Sequence, residues 1–233
     1  MYDKPLLGQH LAETMLSNSR VQKKRRELME LKRFVRESAT DEPAWARLIF
    51  RITKQEMDYV LVDMVVQSLP ADWQTFVDLK YRRRETVTKQ TNQLHVSSSQ
   101  LGLWNAEIKR RVLNALQYRL TEHDVFLRTK IINMLEVLGT LIDTKEELDP
   151  KCEIIDPFWF NSLIGYYDRY SRLQQELDDC IQRTDSRKAA AVGAVVEQPY
   201  EFQVVLAAKC RMNPSVFSRH IRSFKDKMRP YVC

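Results

Sequence analysis

The chain has little glycine and little proline, with 5 Gly and 8 Pro among its 233 residues. Sheets with many strands need frequent tight turns, and such turns consume glycine. No apolar run approaches the roughly 18 residues that a membrane span needs. The N-terminal residues also lack the charged, apolar and small-residue order of a signal peptide. We therefore expect an all-α, cytoplasmic protein that has no membrane partner.

Motifs for metal binding and catalysis are also missing. The four cysteines form no CxxC pair and the four histidines are scattered, so neither set has the close spacing of a structural zinc site. The sequence contains no Walker loop, GxGxxG, GxSxG or HExxH. We therefore expect no enzyme activity, no metal and no cofactor. An acidic stretch is interpreted as a solvated face and not as a nuclease site: Glu136, Asp143, Glu146, Glu147, Asp149, Glu153 and Asp156.

Charge is abundant and unevenly distributed. The formal net charge is +6. Residues 80–112 carry eight basic and two acidic side chains, and residues 200–233 carry seven and two. Residues 121–185 instead carry fourteen acidic and seven basic side chains. Basic ends around an acidic middle indicate that particular surfaces meet a polyanion such as nucleic acid.

Apolar residues recur three or four positions apart along most of the chain, which predicts amphipathic helices. The strongest stripes lie in residues 43–66, 124–142 and 157–183. The last is rich in aromatic residues, which is typical of a core or of a dimer contact. We predict five segments along the chain. Residues 1–40 form a basic N-terminal arm or helix, and residues 41–120 form a helical domain with a first helix-turn-helix. Residues 121–186 form an acidic helical middle region with a possible dimer contact, residues 187–198 form a linker that could equally be helical, and residues 199–233 form a second helix-turn-helix.

Val87–Ala106 has the apolar pattern of a helix-turn-helix. Two short helices in this motif cross at a turn of three or four residues, so that residues on both sides of the turn face inward. Ser97 is suited to cap the second helix, because its hydroxyl can accept from freed backbone N–H groups. The polar Gln90, the large Thr91 and the non-glycine His95 depart from the usual pattern. The apolar positions that fit it are Leu94, Val96, Leu101 and Trp104.

Gln203–Arg222 has the same pattern. Asn213 is a predicted N-cap, and Pro214 follows at the first helical position, where its missing N–H costs nothing. His220 departs from the pattern, with the apolar residue displaced to Ile221. The positions that fit are Leu206, Ala207, Cys210, Met212 and Phe217. The two segments are 116 residues apart, which indicates either an internal duplication or two separate instances of a common motif.

The DNA-binding candidates are the outward-facing residues of these segments and the basic residues beside them. Short hydroxyls can bond bases or phosphates, and arginine reads guanine with two hydrogen bonds or clamps a phosphate. The first segment supplies Arg82, Arg83, Arg84, Ser97, Ser98, Ser99, Gln100, Lys109, Arg110 and Arg111, with Gly102 and Leu103 also facing outward. The second supplies Asn213, Ser215, Ser218, Arg219, Arg222 and Lys225.

Residues 69–116 resemble region four of bacterial sigma factors, in which a helix with a basic end leads into the DNA-reading pair. A closer resemblance is to phage and prophage late-gene activators of the ArpU and RinA type. It rests on the spacing of Leu79, Tyr81, Thr86, Leu94, Ser97 and Trp104. The resemblance implies a regulator of phage or mobile-element genes, with RNA polymerase as an additional partner to consider.

The leading hypothesis is therefore a sequence-specific transcription regulator that binds double-stranded DNA as a homodimer. One alternative is a nucleoprotein assembly component such as a phage small terminase subunit, for which a ring-forming oligomer would argue. Another is a helical protein–protein adaptor with basic faces, for which indifference to DNA would argue.

Overall fold

The protein is all-α, as its composition predicts. The computed structural model describes residues 4–17, 21–38, 42–151, 153–183 and 186–232, and these contain no strand. A π-helical turn at Asp78–Arg82 follows α4, and 3₁₀ turns lie at Asp124–Phe126 and Arg229–Tyr231. The α-helices are α1 (Lys4–Ser17), α2 (Val21–Ser38), α3 (Glu42–Gln67), α4 (Ala71–Val77), α5 (Val87–Leu94), α6 (Ser98–Leu116), α7 (Arg128–Leu148), α8 (Pro157–Gln182), α9 (Arg187–Glu197), α10 (Gln203–Lys209) and α11 (Pro214–Met228).

The chain forms two compact units. The first comprises residues 1–117 and 140–157, and the second comprises residues 118–139 and 158–233. The predicted middle region, 121–186, is therefore divided between the two units. No helix among the described residues has the length and apolar character needed to cross a membrane.

The core of the first unit is built on α3, which packs against both α2 and α6. The apolar stripe predicted for residues 43–66 supplies the buried Ile49, Ile52 and Leu61. Leu48 was expected in this stripe but is 42% exposed. The inward face of α6 is apolar at every turn, with Leu101, Trp104, Ile108, Val112 and Ala115 all buried. Because α6 is held along this whole face, its first turn has a fixed position in the unit.

The acidic stretch near the end of α7 is not solvated throughout. Asp149 is 2% exposed and accepts hydrogen bonds from the backbone N–H groups of Glu153, Ile154 and Ile155, at 2.8, 3.1 and 2.8 Å. Burial by itself would raise the pKa of Asp149, but these donors and the buried Lys145 hold it below its ordinary value. Asp149 therefore organises the loop after α7, while the other six acidic residues of the stretch are exposed.

The second unit is organised around Tyr170 of α8, which is fully buried. Its hydroxyl donates to the carbonyl of Tyr118 at 2.8 Å and accepts from the N–H of Leu120 at 2.9 Å. The aromatic stripe predicted for residues 157–183 also supplies the buried Phe160, Leu163 and Leu177. The chain's own core thus occupies most of the face that was considered for a dimer contact.

Residues 187–198, predicted as a linker, are a helix over most of their length. The helix α9 is capped by Ser186, whose hydroxyl accepts from the N–H of Ala189 at 3.0 Å. Its buried residues are Ala189, Ala191, Val192 and Val195. Alanine gives a weak amphipathic signal in a sequence, yet it lets α9 pack closely on α10 and α11. The helical alternative for this stretch is the one observed.

The two hydrogen bonds of Tyr170 predict a large effect for a small change. Tyr170→Phe removes only one oxygen, but it removes both of these hydrogen bonds to backbone groups in the interior of the unit. We expect a loss of roughly 1–3 kcal/mol in the free energy of unfolding. Denaturant unfolding measures it, with Tyr167→Phe as the matched control, because Tyr167 is 38% exposed on the same helix. Equal stability of the two variants would contradict this role of Tyr170.

Candidate nucleic-acid interface

The helices α5 and α6, here called the first helix pair, are joined by three residues, His95 to Ser97. His95 has a φ of 54°, in the left-handed region that ends helices sharply. The Ser97 hydroxyl then accepts from the N–H of Gln100 at 3.2 Å and starts α6, as predicted. The left-handed residue and the N-cap together turn the chain within these three residues, and α5 and α6 contact each other directly.

The helices α10 and α11, the second helix pair, are joined in the same way. Arg211 has a φ of 52°. The side chain of Asn213 accepts from the N–H of Ser215 at 2.9 Å, and Pro214 occupies the first turn of α11, as predicted. A further bond between the two helices runs from the Ser218 hydroxyl to the Gln203 side-chain oxygen at 3.0 Å.

The two helix pairs belong to longer segments of similar architecture, although the π-helical turn at Asp78–Arg82 and the left-handed Arg84 occur only in the segment that contains the first helix pair. The first module is residues 70–116 and the second is residues 186–232, so that equivalent residues differ by 116. N-caps occur at equivalent positions before α4 and α9, before α5 and α10, and before α6 and α11. The left-handed residues His95 and Arg211 are also equivalent. Only three of the 47 positions hold the same residue in both modules: Glu85 and Glu201, Ser99 and Ser215, and Lys109 and Lys225.

The inward faces of the modules also correspond. Gln90 was a departure from the expected apolar pattern, yet it is 4% exposed, and its equivalent, Leu206, is 2% exposed. The Gln90 amide is accommodated because it donates to the carbonyl of Glu85 at 2.6 Å. Other equivalent pairs buried in both modules are Phe76 and Val192, Leu79 and Val195, Leu101 and Phe217, Ile108 and Phe224, and Val112 and Met228.

Trp104 is buried, as its position predicted, but its aromatic neighbours were not foreseen. Its ring lies 5.6 Å from that of Trp73 and 6.2 Å from that of Phe76, both on α4. The Tyr81 hydroxyl, just after α4, hydrogen-bonds to Asn105 of α6. Trp104 therefore packs α6 against α4, and α6 also packs against α5.

The start of α6 is an open surface. The capping residue and the three residues after it, Ser97 to Gln100, are all exposed. Gly102 and Ala106 are also exposed, and Leu103 is 66% exposed. A Cβ added at Gly102 would meet no atom within 4 Å. This face of α6 is therefore uncharged, built of small residues, and uncovered within its own unit.

The start of α11 is equally open but carries charge. Arg219 and Arg222 are exposed and one turn apart, and neither makes an ion pair within the described part of the chain. Asn213 and Ser215 are exposed beside them, and Ser218 is half-buried. Lys225 is half-buried, with its ammonium 5.7 Å from the centre of the Phe126 ring, so its charge faces the body of the unit.

Most of the basic residues predicted on α6 are already paired with carboxylates. Lys109 is only 15% exposed and donates to Glu13 at 2.9 Å. Arg110 and Arg111 both bond Glu107, at 2.7 and 2.8 Å. These three residues also lie eleven to thirteen positions after Ser98, roughly 16–20 Å further along the helix axis. They do not belong to the same surface as the serines.

The arginines lower the pKa of Glu107 from 4.5 to about 2, mainly through the hydrogen bond from Arg110, followed by that from Arg111. The carboxylate is therefore ionised at neutral pH and offsets part of the arginine charge. Because the pKa of Glu107 is lowered in the folded state, its ion pairs stabilise the fold fully at pH values above 4.5, the ordinary pKa. This stabilisation is lost as the pH falls toward 2. The pairs are half-exposed, so their contribution to stability is small.

The three arginines before α5 have different surroundings. Arg83 pairs with Asp78 at 2.6 Å. Arg82 is half-buried, and its Nε has no hydrogen-bond partner within the described residues. Arg84 is exposed with a φ of 56°, and it forms no ion pair with the rest of the described chain. Of the three, only Arg84 presents a full charge to solvent.

Substitutions in α6 separate packing from surface chemistry. Trp104→Ala removes a large apolar volume between α4 and α6, so we expect a loss of roughly 3–5 kcal/mol in the free energy of unfolding. Ser98→Ala, six residues earlier on the exposed first turn, should change it by less than about half a kcal/mol. Thermal melts of both variants test the orientation of α6. A harmless Trp104→Ala would show that the helix is rotated from the position described.

Within the described residues, no group of three or more His, Cys, Asp or Glu side chains is placed to hold a metal ion. Comparison of the sequence with family models, with curated proteins and with solved structures found no match. The resemblance to late-gene activators and to sigma region four therefore stays a prediction. Function is argued from the geometry and charge of the two helix pairs.

Proposed function

We propose that the protein is a sequence-specific regulator of transcription that binds double-stranded DNA and performs no catalysis. One observation carries the proposal. Twice in the chain, two short helices meet at a left-handed residue followed by a capping residue, and the second helix begins with an exposed polar turn. The segments that show this geometry are the two whose sequence patterns predict helix-turn-helix motifs.

This geometry suits a duplex because the major groove of B-DNA is wide enough to admit one α-helix. In helix-turn-helix proteins the N-terminal residues of the second helix contact the base edges, while the first helix crosses the backbone. The first turns of α6 and α11 are exposed, and their backbone N–H groups carry the partial positive charge of a helix N-terminus. Phosphates are favoured next to such a terminus.

The exposed cations support a polyanionic partner. Arg219 and Arg222 project from the candidate reading helix of the second helix pair, and Arg84 lies just before the first. A guanidinium can bond guanine or phosphate with two parallel hydrogen bonds. If the protein acts at promoters, as the resemblance to late-gene activators implies, RNA polymerase would be its second partner.

The first test is the salt dependence of binding to duplex DNA. Each phosphate contact releases counterions, so affinity should fall on the order of tenfold or more between 50 and 200 mM salt. Arg219→Ala and Arg222→Ala should leave the melting temperature unchanged. Each should also weaken binding, either by lowering the salt slope by about one for a phosphate contact or by about 1–3 kcal/mol for a base contact.

Arg172→Ala is the matched control, because Arg172 is an exposed arginine of the second unit that lies on α8, outside the second helix pair. It should bind DNA like the parent protein. Absence of binding at low salt, or an affinity that does not change with salt, would refute the proposal. Parental behaviour of both α11 variants would limit DNA reading to the first helix pair.

The second test concerns the paired arginines of α6. Glu107→Gln removes the charge that offsets Arg110 and Arg111. If either arginine lies near the DNA backbone, affinity at low salt should rise and the salt slope should steepen by up to about one. Titration at several salt concentrations measures both effects. Unchanged affinity with an intact fold would exclude Arg110 and Arg111 from the interface and leave them a purely structural role.

A further inference from the structure

We infer that a single chain reads a composite DNA site with two unlike halves. The inference rests on the proposed function and adds the class of sequence that each half contains. In it, α6 reads a half-site in which thymine methyl groups are contacted, and α11 reads a half-site that contains guanine. Two reading helices are then present within one polypeptide.

The first step is that equivalent residues occupy equivalent positions on the two reading helices. The N-caps of both helix pairs and the left-handed residues His95 and Arg211 correspond at a constant offset of 116 residues. Backbone hydrogen bonds correspond as well, since Leu101 N–H to Ser97 and Phe217 N–H to Asn213 measure 3.1 and 3.0 Å. The inward residues Leu101 and Phe217 therefore define the same helix phase, and residues at equal offsets face outward in the same direction.

The second step compares the two outward faces. Ser99 and Ser215 are equivalent and identical. Elsewhere the faces differ: Gly102, Leu103 and Ala106 in α6 correspond to Ser218, Arg219 and Arg222 in α11. One face is neutral and small except for a single exposed leucine, whereas the other carries two arginines. Two faces so different in chemistry cannot prefer the same base pairs.

The third step assigns the bases. Arginine recognises guanine through its O6 and N7 atoms, which assigns guanine to the half read by α11. An apolar side chain contacts the C5-methyl group of thymine, and Leu103 is the large apolar side chain of its face. Gly102, the residue before it, and Ala106, about one turn after it, are small and allow the helix to approach the groove closely. The half read by α6 is therefore rich in A·T pairs, with thymine at the position that meets Leu103.

The fourth step explains why the first module is a reader and not only a support. The inward residues of α6 already secure its packing, and Leu103 takes no part in it because 66% of its surface is exposed. Its equivalent, Arg219, is one of the two exposed arginines of α11. The leucine therefore occupies a position at which the second module presents a base-reading side chain.

The experiment is a selection of DNA by the full chain from a pool of random-sequence duplexes, repeated with two single variants. Leu103→Ala and Arg219→Ala change equivalent exposed residues, so neither should alter folding, which a thermal melt checks. Leu103→Ala should reduce the preference for thymine in one half roughly three- to tenfold. Arg219→Ala should reduce the preference for guanine in the other half roughly five- to hundredfold. Arg172→Ala should change neither.

Sedimentation of the parent protein with a selected duplex measures the number of chains bound per duplex. This measurement is independent of the two variants. Two unlike motifs on the selected duplexes, one chain per duplex, and a separate effect of each variant on its own half would support the inference. Two copies of one motif bound by two chains would overturn it and leave the proposed function intact. A single motif that is altered only by Arg219→Ala would also overturn the inference and leave the proposed function intact. The exposed face of α6 would then be available to a protein partner. A pool without any enrichment would refute both the inference and the proposed function.

Discussion

The architecture of both modules depends on one backbone constraint, a left-handed residue placed two positions before a helix N-cap. An L-residue in this conformation carries a steric cost of roughly 1–2 kcal/mol, and glycine normally relieves it. Here it is adopted by His95 and by Arg211, so packing on both sides of the turn must hold it in place. In return, the chain turns within three or four residues. Residues before and after the turn are then both buried, Gln90 and Leu101 in the first module and Leu206 and Phe217 in the second.

That constraint also separates the two roles of the second helix in each pair. Leu101 and Phe217 are buried and fix the rotation of each helix about its axis. The helical repeat of three to four residues per turn then determines which side chains face solvent. The buried residues of the two modules differ at nearly every position, because a core requires suitable volume at fixed positions and not one particular residue. The outward face carries no such requirement. It is neutral on α6 and charged on α11, which is the difference on which recognition of two different sequences would depend.

The sequence predicted the features of the fold that depend on neighbouring residues, namely helix caps and apolar periodicity. Ser97 and Asn213 were recognisable as caps, and the periodicity of residues 43–66 and 157–183 predicted α3 and α8. The region of α9 was predicted as a linker that could equally be helical, because its sequence lacks a clear amphipathic pattern and contains a glycine, and half of its buried residues are alanines. The contact of Trp104 with α4 could not be foreseen, since it joins residues about 30 positions apart. Gln90 was misread as a departure from the pattern, because a hydrogen bond to a backbone carbonyl is not visible in a sequence.

Electrostatics is the point at which counting residues misleads most. Residues 80–112 have a large positive charge, yet Arg83, Lys109, Arg110 and Arg111 are each held by a carboxylate. Glu13, which binds Lys109, lies outside that segment, so no local count of charge could include it. An exposed pair of opposite charges about 4 Å apart is only weakly stabilised in water. A polyanion must nevertheless displace the carboxylate before it can contact the arginine or lysine. The surface available for the proposed binding of DNA is therefore smaller than the sequence indicates. Within the described residues, the candidate arginines that are exposed and make no ion pair are Arg84, Arg219 and Arg222.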